Sequence, residues 1–577
     1  MAFQDFDIIS ERRKNEEKLK LRKKILIGVV STILLACVVA AAAFVVVKRT
    51  GSQPKELSPS EATNHVDRYS KLVKMICSNA EYKEKCESSL TEALKKDPKL
   101  TEPKDLLKIS MILAEAEVNK AFNKTAKLKF ANEEEKGAYE DCKELFKDAK
   151  DELGFSITEA GSNDLSKLKA PEINNWLSAV ISYQQTCIDG FPEGNMKNEF
   201  KKLFNESRQL VSNSLAVVSQ VSSLFSSFNV GAPGAAPVMA PAGDSPAPAW
   251  ASPAQLLGAE GKPTPNVTVA KDGSGNFKTI SEALAAIPQT YEGRYVVYVK
   301  EGVYDETVTV TRKMVNVTMY GDGQQKSIVT GNKNFVDGVR TFQTASFVVL
   351  GDGFIGKDMG YRNTAGAEKH QAVAARVQAD QAVFVQCAFE GYQDTLYAQT
   401  HRQFYRDCVI EGTIDFIFGD ASAVFQNCIM VIRKPLDNQQ NIVTAQGRID
   451  KAENTGFVLQ KCVIKAADAL VPVLGKIKNY LGRPWKEYSR TIIMESEIGD
   501  LIQPDGWLPW EGDFALTTLY YGEYNNNGVG ANTNARVKWP GRKDINREEA
   551  NTYTVESFLQ GTWINGTGVP AQLGLYN

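Results

Sequence analysis

FVQCAFEGYQDTLYAQTHRQFYRDCVIEGTIDFIFGDASAVFQNC, residues 384–428, carries the spacing that sets the fold class. Phe384, Tyr405 and Phe425 each stand three positions before a cysteine, namely Cys387, Cys408 and Cys428, and Leu459 before Cys462 repeats the pattern downstream. The cysteines recur at spacings of 21, 20 and 34 residues, so two units are regular and a third holds an insertion. Around them run short stretches rich in Val, Ile, Phe, Tyr and Thr, broken by Gly, Asp and Asn, which is strand texture. Short strands with a period near 20 residues predict a parallel β-helix, each turn stacked about 4.8 Å from the last. A chance alignment of cysteines in a β-sandwich is the competing reading.

The same register extends to two acids. Asp394 and Asp415 lie seven residues after Cys387 and Cys408 respectively, and are 21 apart. A β-helix stacks them on one face in neighbouring turns, about one strand spacing apart. Two carboxylates so close cannot both ionise comfortably, which predicts a protonated acid beside an ionised one, the pairing that acid/base and covalent catalysis need. Asp415 is flanked by Ile414, Phe416, Ile417 and Phe418, poor company for a solvated turn. Gln393 adjoins Asp394, and Gln371 stands one turn earlier. Their neutral amides offer donors without added charge, which suits an oxyanion hole. Farther on, in Leu481-Gly-Arg-Pro-Trp485, Arg483 can hold an aspartate ionised and Trp485 offers a flat face to a sugar ring.

Outward from this region the texture changes. Residues 229–262 are dominated by Ala, Pro and Gly, a composition that makes a linker rather than a core. Residues 60–228 are rich in Lys, Glu, Leu and Ala with apolar residues at helical spacing, and predict a helical bundle. It holds Cys77, Cys86, Cys142 and Cys187, which sequence alone can pair in three ways. Ahead of it, residues 25–47 form an apolar run long enough to span a bilayer, and residues 1–50 are read as a basic cytosolic segment with that membrane anchor. Eight basic residues before the run place the N-terminus in the cytosol and send everything after it through the secretory pathway. A cleaved signal peptide is the alternative, but its apolar core is usually about 7 to 15 residues. Translocation agrees with disulfides and with sequons at Asn123, Asn205, Asn266, Asn316 and Asn565. The formal net charge of -2 over 577 residues argues against a nucleic-acid partner, and three histidines leave little for a multi-histidine metal site.

Five strings in order, Gly302-Val-Tyr-Asp-Glu306, Gln371-Ala-Val-Ala-Ala375, Gln393-Asp-Thr-Leu396, Asp415-Phe-Ile-Phe-Gly419 and Leu481-Gly-Arg-Pro-Trp485, carry a resemblance to plant pectin methylesterases with an N-terminal pectin methylesterase inhibitor domain. The resemblance implies a four-helix-bundle inhibitor-like domain over 60–228 and, over 263–577, a right-handed parallel β-helix. That domain would act as a monomer, without metal or cofactor, on the methyl esters of homogalacturonan in the cell wall. It makes Asp415 the nucleophile, Asp394 the acid and then the base, Gln371 and Gln393 the oxyanion donors, and Arg483 the partner of Asp415. Thr341, Gln371, Arg483 and Trp485 would contact the polysaccharide, and the helical domain would be an intramolecular inhibitor. It also implies disulfides Cys77 to Cys86, Cys142 to Cys187 and Cys408 to Cys428, leaving Cys387 and Cys462 as buried thiols. Departures are Ala375 where the family motif ends in Leu, Ala80 and Lys83 where the inhibitor family has Thr and Pro, and Ala254-Gln255 before Leu256-Leu257 where a dibasic cleavage pair often stands.

Two rival functions share parts of this pattern. A galacturonan hydrolase or lyase on a β-helix would also use acids, but an oxyanion hole has no role at a glycosidic carbon. A regulatory protein with a silent esterase site would place the function in the helical domain.

Overall fold

The sequence repeat becomes a column of stacked rings. Phe384, Tyr405 and Phe425 lie one above the next, with ring centroids 5.2 and 4.6 Å apart and planes within 14° of parallel. Each belongs to a strand that pairs in register with its neighbour, Phe384 opposite Tyr405 and Tyr405 opposite Phe425. In this computed structural model, which describes residues 70–97, 102–161, 168–228 and 263–576, strands after residue 266 form three parallel sheets of eleven, seven and eight strands. From Tyr295–Val299 to Tyr520–Tyr524 consecutive strands go to different sheets and the path returns to each sheet one turn later, so the chain winds as a parallel β-helix and a β-sandwich is excluded. Val, Ile, Phe and Cys side chains fill its interior.

Cys387, Cys408, Cys428 and Cys462 form a second interior column, fully buried and all free. The expected Cys408–Cys428 disulfide is therefore not formed. In-register parallel strands hold equivalent side chains about 4.8 Å apart and pointing the same way, whereas a disulfide wants Cβ atoms about 3.8 Å apart and turned toward one another. The thiols are satisfied instead by carbonyls of the preceding coil: Cys428 Sγ donates to Tyr405 O at 3.5 Å and Cys462 Sγ to Phe425 O at 3.2 Å. The two helical-domain disulfides are present, Cys77–Cys86 and Cys142–Cys187.

Among the described residues that domain has a helical stretch over 70–76, a short α1 (Lys83–Lys96) and four long helices, α2 (Pro103–Thr125), α3 (Glu133–Ala160), α4 (Ala170–Asp189) and α5 (Asn195–Phe228). Helix α2 starts at Pro103 behind a reciprocal cap between Glu102 and Asp105, and α3 starts where Asn132 accepts the N–H of Glu135. Leu106, Leu107, Leu145, Leu153, Leu177 and Val211 fill the space between them.

This core does not end at the bundle. It runs on into Val348, Tyr397, Phe418 and Ala445, on the outer face of the seven-stranded sheet, and into Val373 just before one of its strands. Outward apolar side chains on a sheet must be covered, and here the helices cover them, so residues 70–577 are one compact unit. Charge fixes the register of the contact. Arg312 bridges Asp148 and Glu152 at 3.2 and 2.5 Å, and Arg340 grips Asp141 through two bonds of 2.5 and 3.0 Å. His401 meets Tyr183 at 3.0 Å and Glu152 at 3.4 Å. Residue 137 on helix α3 is glycine where Arg340 crosses it; a Cβ there would overlap the Arg340 guanidinium, which would have to shift from its place on Asp141. The expected membrane segment 25–47 and linker 229–262 lie outside the described residues, among which no helix is long and apolar enough to cross a membrane.

Candidate active site

Backbone pairing places the two acids. Strands Leu396–Ala398 and Ile417–Gly419 are parallel neighbours, with Leu396 opposite Ile417 and Tyr397 opposite Phe418. Asp394 and Asp415, each two residues earlier, occupy equivalent positions on adjacent coils. Both adopt left-handed backbone, φ 64 and 51°, a conformation that short Asp side chains tolerate better than most. The Asp394 N–H donates to Ile414 O at 3.0 Å and ties the two turns together. One coil earlier, Gln371 forms a parallel bridge with Gln393, so the two amide-bearing residues are stacked as the acids are.

The carboxyl groups differ electrostatically because only one has a cation. Both aspartates are nearly buried, at 7% and 5% exposure. Burial pushes Asp394 well above the usual carboxylate range, and the charge of Asp415 pushes it further against the pull of Arg483. Burial also raises Asp415, but Arg483 opposes it by charge and hydrogen bonding. Arg483 Nε donates to Asp415 Oδ1 at 2.9 Å and Nη2 to Oδ2 at 2.6 Å, a two-point grip. The guanidinium is itself braced against the Trp510 ring, 4.3 Å from its centroid, and its backbone N–H reaches Thr444 O. The arrangement favours an ionised Asp415 facing a protonated Asp394.

All seven expected site residues, Thr341, Gln371, Gln393, Asp394, Asp415, Arg483 and Trp485, line one cavity of about 650 Å³. The first of the five strings is elsewhere: Glu306 accepts the N–H groups of Ile280 and Ser281 and caps a short helix, Ile280–Ala285. Sequence reasoning missed Trp510, Tyr397 and Phe418 as cavity walls. The last two were findable, since they stand at the same 21-residue spacing as the acids, three residues after each; Trp510 had no such signal.

The pectinesterase family pattern matches residues 266–562, a span that contains every one of these site residues. The chain belongs to the pectinesterase family. Residues 71–217 match the plant invertase/pectin methylesterase inhibitor family. A relative in Arabidopsis thaliana that bears the name pectinesterase/pectinesterase inhibitor 45 is 47% identical over 613 residues and is matched along the whole of both chains. Pectinesterase 1 of Citrus sinensis is 41% identical over 518 residues, covering 87% of this chain and 88% of its own. Among solved structures, a pectin methylesterase from carrot is 50% identical with a TM-score of 0.54, covering 54% of this chain and 98% of that one. The pectinesterase cavity here is thus one that an inhibitor-family domain helps to enclose: Glu134, Thr186, Asp189 and Phe191 of the helical domain line it too. Thr186 Oγ1 lies 3.5 Å from the Tyr397 hydroxyl, and Lys486 binds Asp189 at 2.8 Å.

Proposed function

We propose that the chain hydrolyses methyl esters of homogalacturonan through an acyl-aspartate, with the helical domain as its own inhibitor. The observation that carries this is the buried pair in which only Asp415 is held by an arginine. An Asp415 carboxylate oxygen attacks the ester carbonyl carbon, and the amide N–H groups of Gln371 and Gln393 receive the developing oxyanion. Collapse breaks the bond to methoxide, which takes the Asp394 proton and leaves as methanol. Asp394, now a carboxylate, removes a proton from water as the water attacks the mixed anhydride. The products are a free uronic acid, which gives its proton to solvent to become the uronate, with Asp415 as carboxylate and Asp394 protonated again. Thr341, Arg483 and Trp485 contact the polysaccharide. The route to the substrate is secretion to the cell wall behind an N-terminal membrane anchor. Exposure of the Asn123, Asn266 and Asn565 side chains suits glycan attachment on that route.

The test is methanol release from highly methylated pectin by residues 263–577, beside the same chain carrying Asp415→Asn. Release that the substitution abolishes is the expected result. No release from well-folded protein would overturn it in favour of a silent site.

A further inference from the structure

Next to the catalytic cavity, and sharing Asp189, Glu193 and Lys197 with it, lies a second cavity of about 610 Å³ between helices α4 and α5 and the coil segments that carry Ile449 and Lys486. Its charge is one-sided. Five cations line it, Lys197, Lys201, Lys202, Arg208 and Lys486, against two anions, Asp189 and Glu193. Both anions are engaged, Asp189 by Lys486 at 2.8 Å and Glu193 by Lys197 at 2.7 Å. Lys201 and Lys202 are exposed and form no ion pair among the described residues. Arg208 sits beside the Tyr82 hydroxyl. On the far side of Arg208 stand three acids: Glu81 pairs with Lys451, Asp450 accepts the Ala452 N–H, and Glu487 lines a neighbouring hollow with Arg208.

Lys197, Lys201 and Arg208 follow one face of α5 at intervals of four and seven residues, a rise of about 16 Å from first to last. Like charges four residues apart repel one another on a helix; Glu193, the acid of the cleft that feels Lys201, is already bonded to Lys197, and no acidic side chain forms an ion pair with Lys201, Lys202 or Arg208 among the described residues. A row of anions would offset them. De-esterification of a galacturonan makes such a row, one carboxylate per sugar, and it does so in the adjoining cavity.

We infer that the cleft between α5 and the β-helix is a second polysaccharide site, which takes the free carboxylates of a de-esterified galacturonate stretch. The inference rests on the esterase reading above and gives the helical domain a role in holding product as well as in masking the site. Lys197, common to both cavities, marks where a chain passes from one to the other.

The experiment is calorimetric titration of the full chain with fully de-esterified oligogalacturonate, repeated with Lys201→Glu/Lys202→Glu and with Lys201→Gln/Lys202→Gln. Both pairs are expected to weaken binding at least tenfold with an unchanged melting temperature. Lys326→Glu/Lys465→Glu, two exposed lysines on the β-helix that line neither cavity, makes the same charge change and should leave affinity as it was. Fully methylated oligomer, titrated into full chain carrying Asp415→Asn, should bind at least tenfold more weakly than the acid form. Undiminished binding by the Lys201/Lys202 variants, an equal loss in the Lys326/Lys465 variant, or displacement by inorganic phosphate at matched charge would each overturn the site. Methanol release by residues 263–577 is read separately, so release without oligogalacturonate binding removes only this inference, and failure of release removes the reading beneath it.

Discussion

Gln393 and Asp394 are adjacent in sequence yet are assigned opposite electrical tasks, one to receive negative charge and one to supply a proton. Gln393→Ala should lower kcat on pectin by about 10² to 10³ while the melting temperature holds, the loss typical of one oxyanion donor. For the acids the pH dependence has a definite sign. On the proposed mechanism the rate should fall on the acid side as Asp415 takes up a proton and ceases to be a nucleophile, and on the alkaline side as Asp394 loses the proton meant for methanol. Because the charge of Asp415 raises Asp394 while Arg483 lowers it, Asp415→Asn should bring the Asp394 titration down. Carboxyl 13C chemical shifts followed against pH would show it, and an unmoved midpoint would mean that burial alone sets the value.

At the level of elements, the contact between α3 and the β-helix concentrates buried charge. Arg312→Ala would leave Asp148 and Glu152 without their shared cation, a loss of about 3 to 5 kcal/mol for a broken buried pair. The same substitution in residues 263–577, where those acids are missing, should be nearly neutral by chemical denaturation. Gly137→Ala separates two effects: it should favour helix α3 by about 1 kcal/mol, yet its Cβ meets Arg340. Higher methanol release by the full chain is therefore expected, with the bundle itself no less stable. Such contacts mark the limit of what was legible in the sequence. The coils, the strand register and the stacking of Asp394 on Asp415 follow from a 21-residue spacing that is local and repeated. The pairing of Arg340 with Asp141 joins positions 199 apart in sequence, and no periodicity announces it. The Cys408–Cys428 disulfide, which the family resemblance implied, is absent because neighbouring positions on in-register coils hold their Cβ atoms parallel rather than turned toward one another.

Taken whole, residues 70–577 are two folds joined by one shared apolar cluster, with the β-helix interior a core of its own. If the helices mask the cavity, residues 263–577 alone should release methanol faster than residues 51–577 at equal concentration; equal rates would show that the docked domain leaves the entrance free. The carrot enzyme, which corresponds to little more than half of this chain, makes it reasonable to expect the β-helix to fold alone. Tyr397 and Phe418 wall the cavity and also seat the helices. Any exchange at these two rings alters how a sugar is held and how firmly the inhibitor sits, in the same stroke. If the helices mask the site as proposed, substrate preference and latency cannot change independently at these two positions: a substitution that suits a different pectin also resets the threshold for release of the bundle.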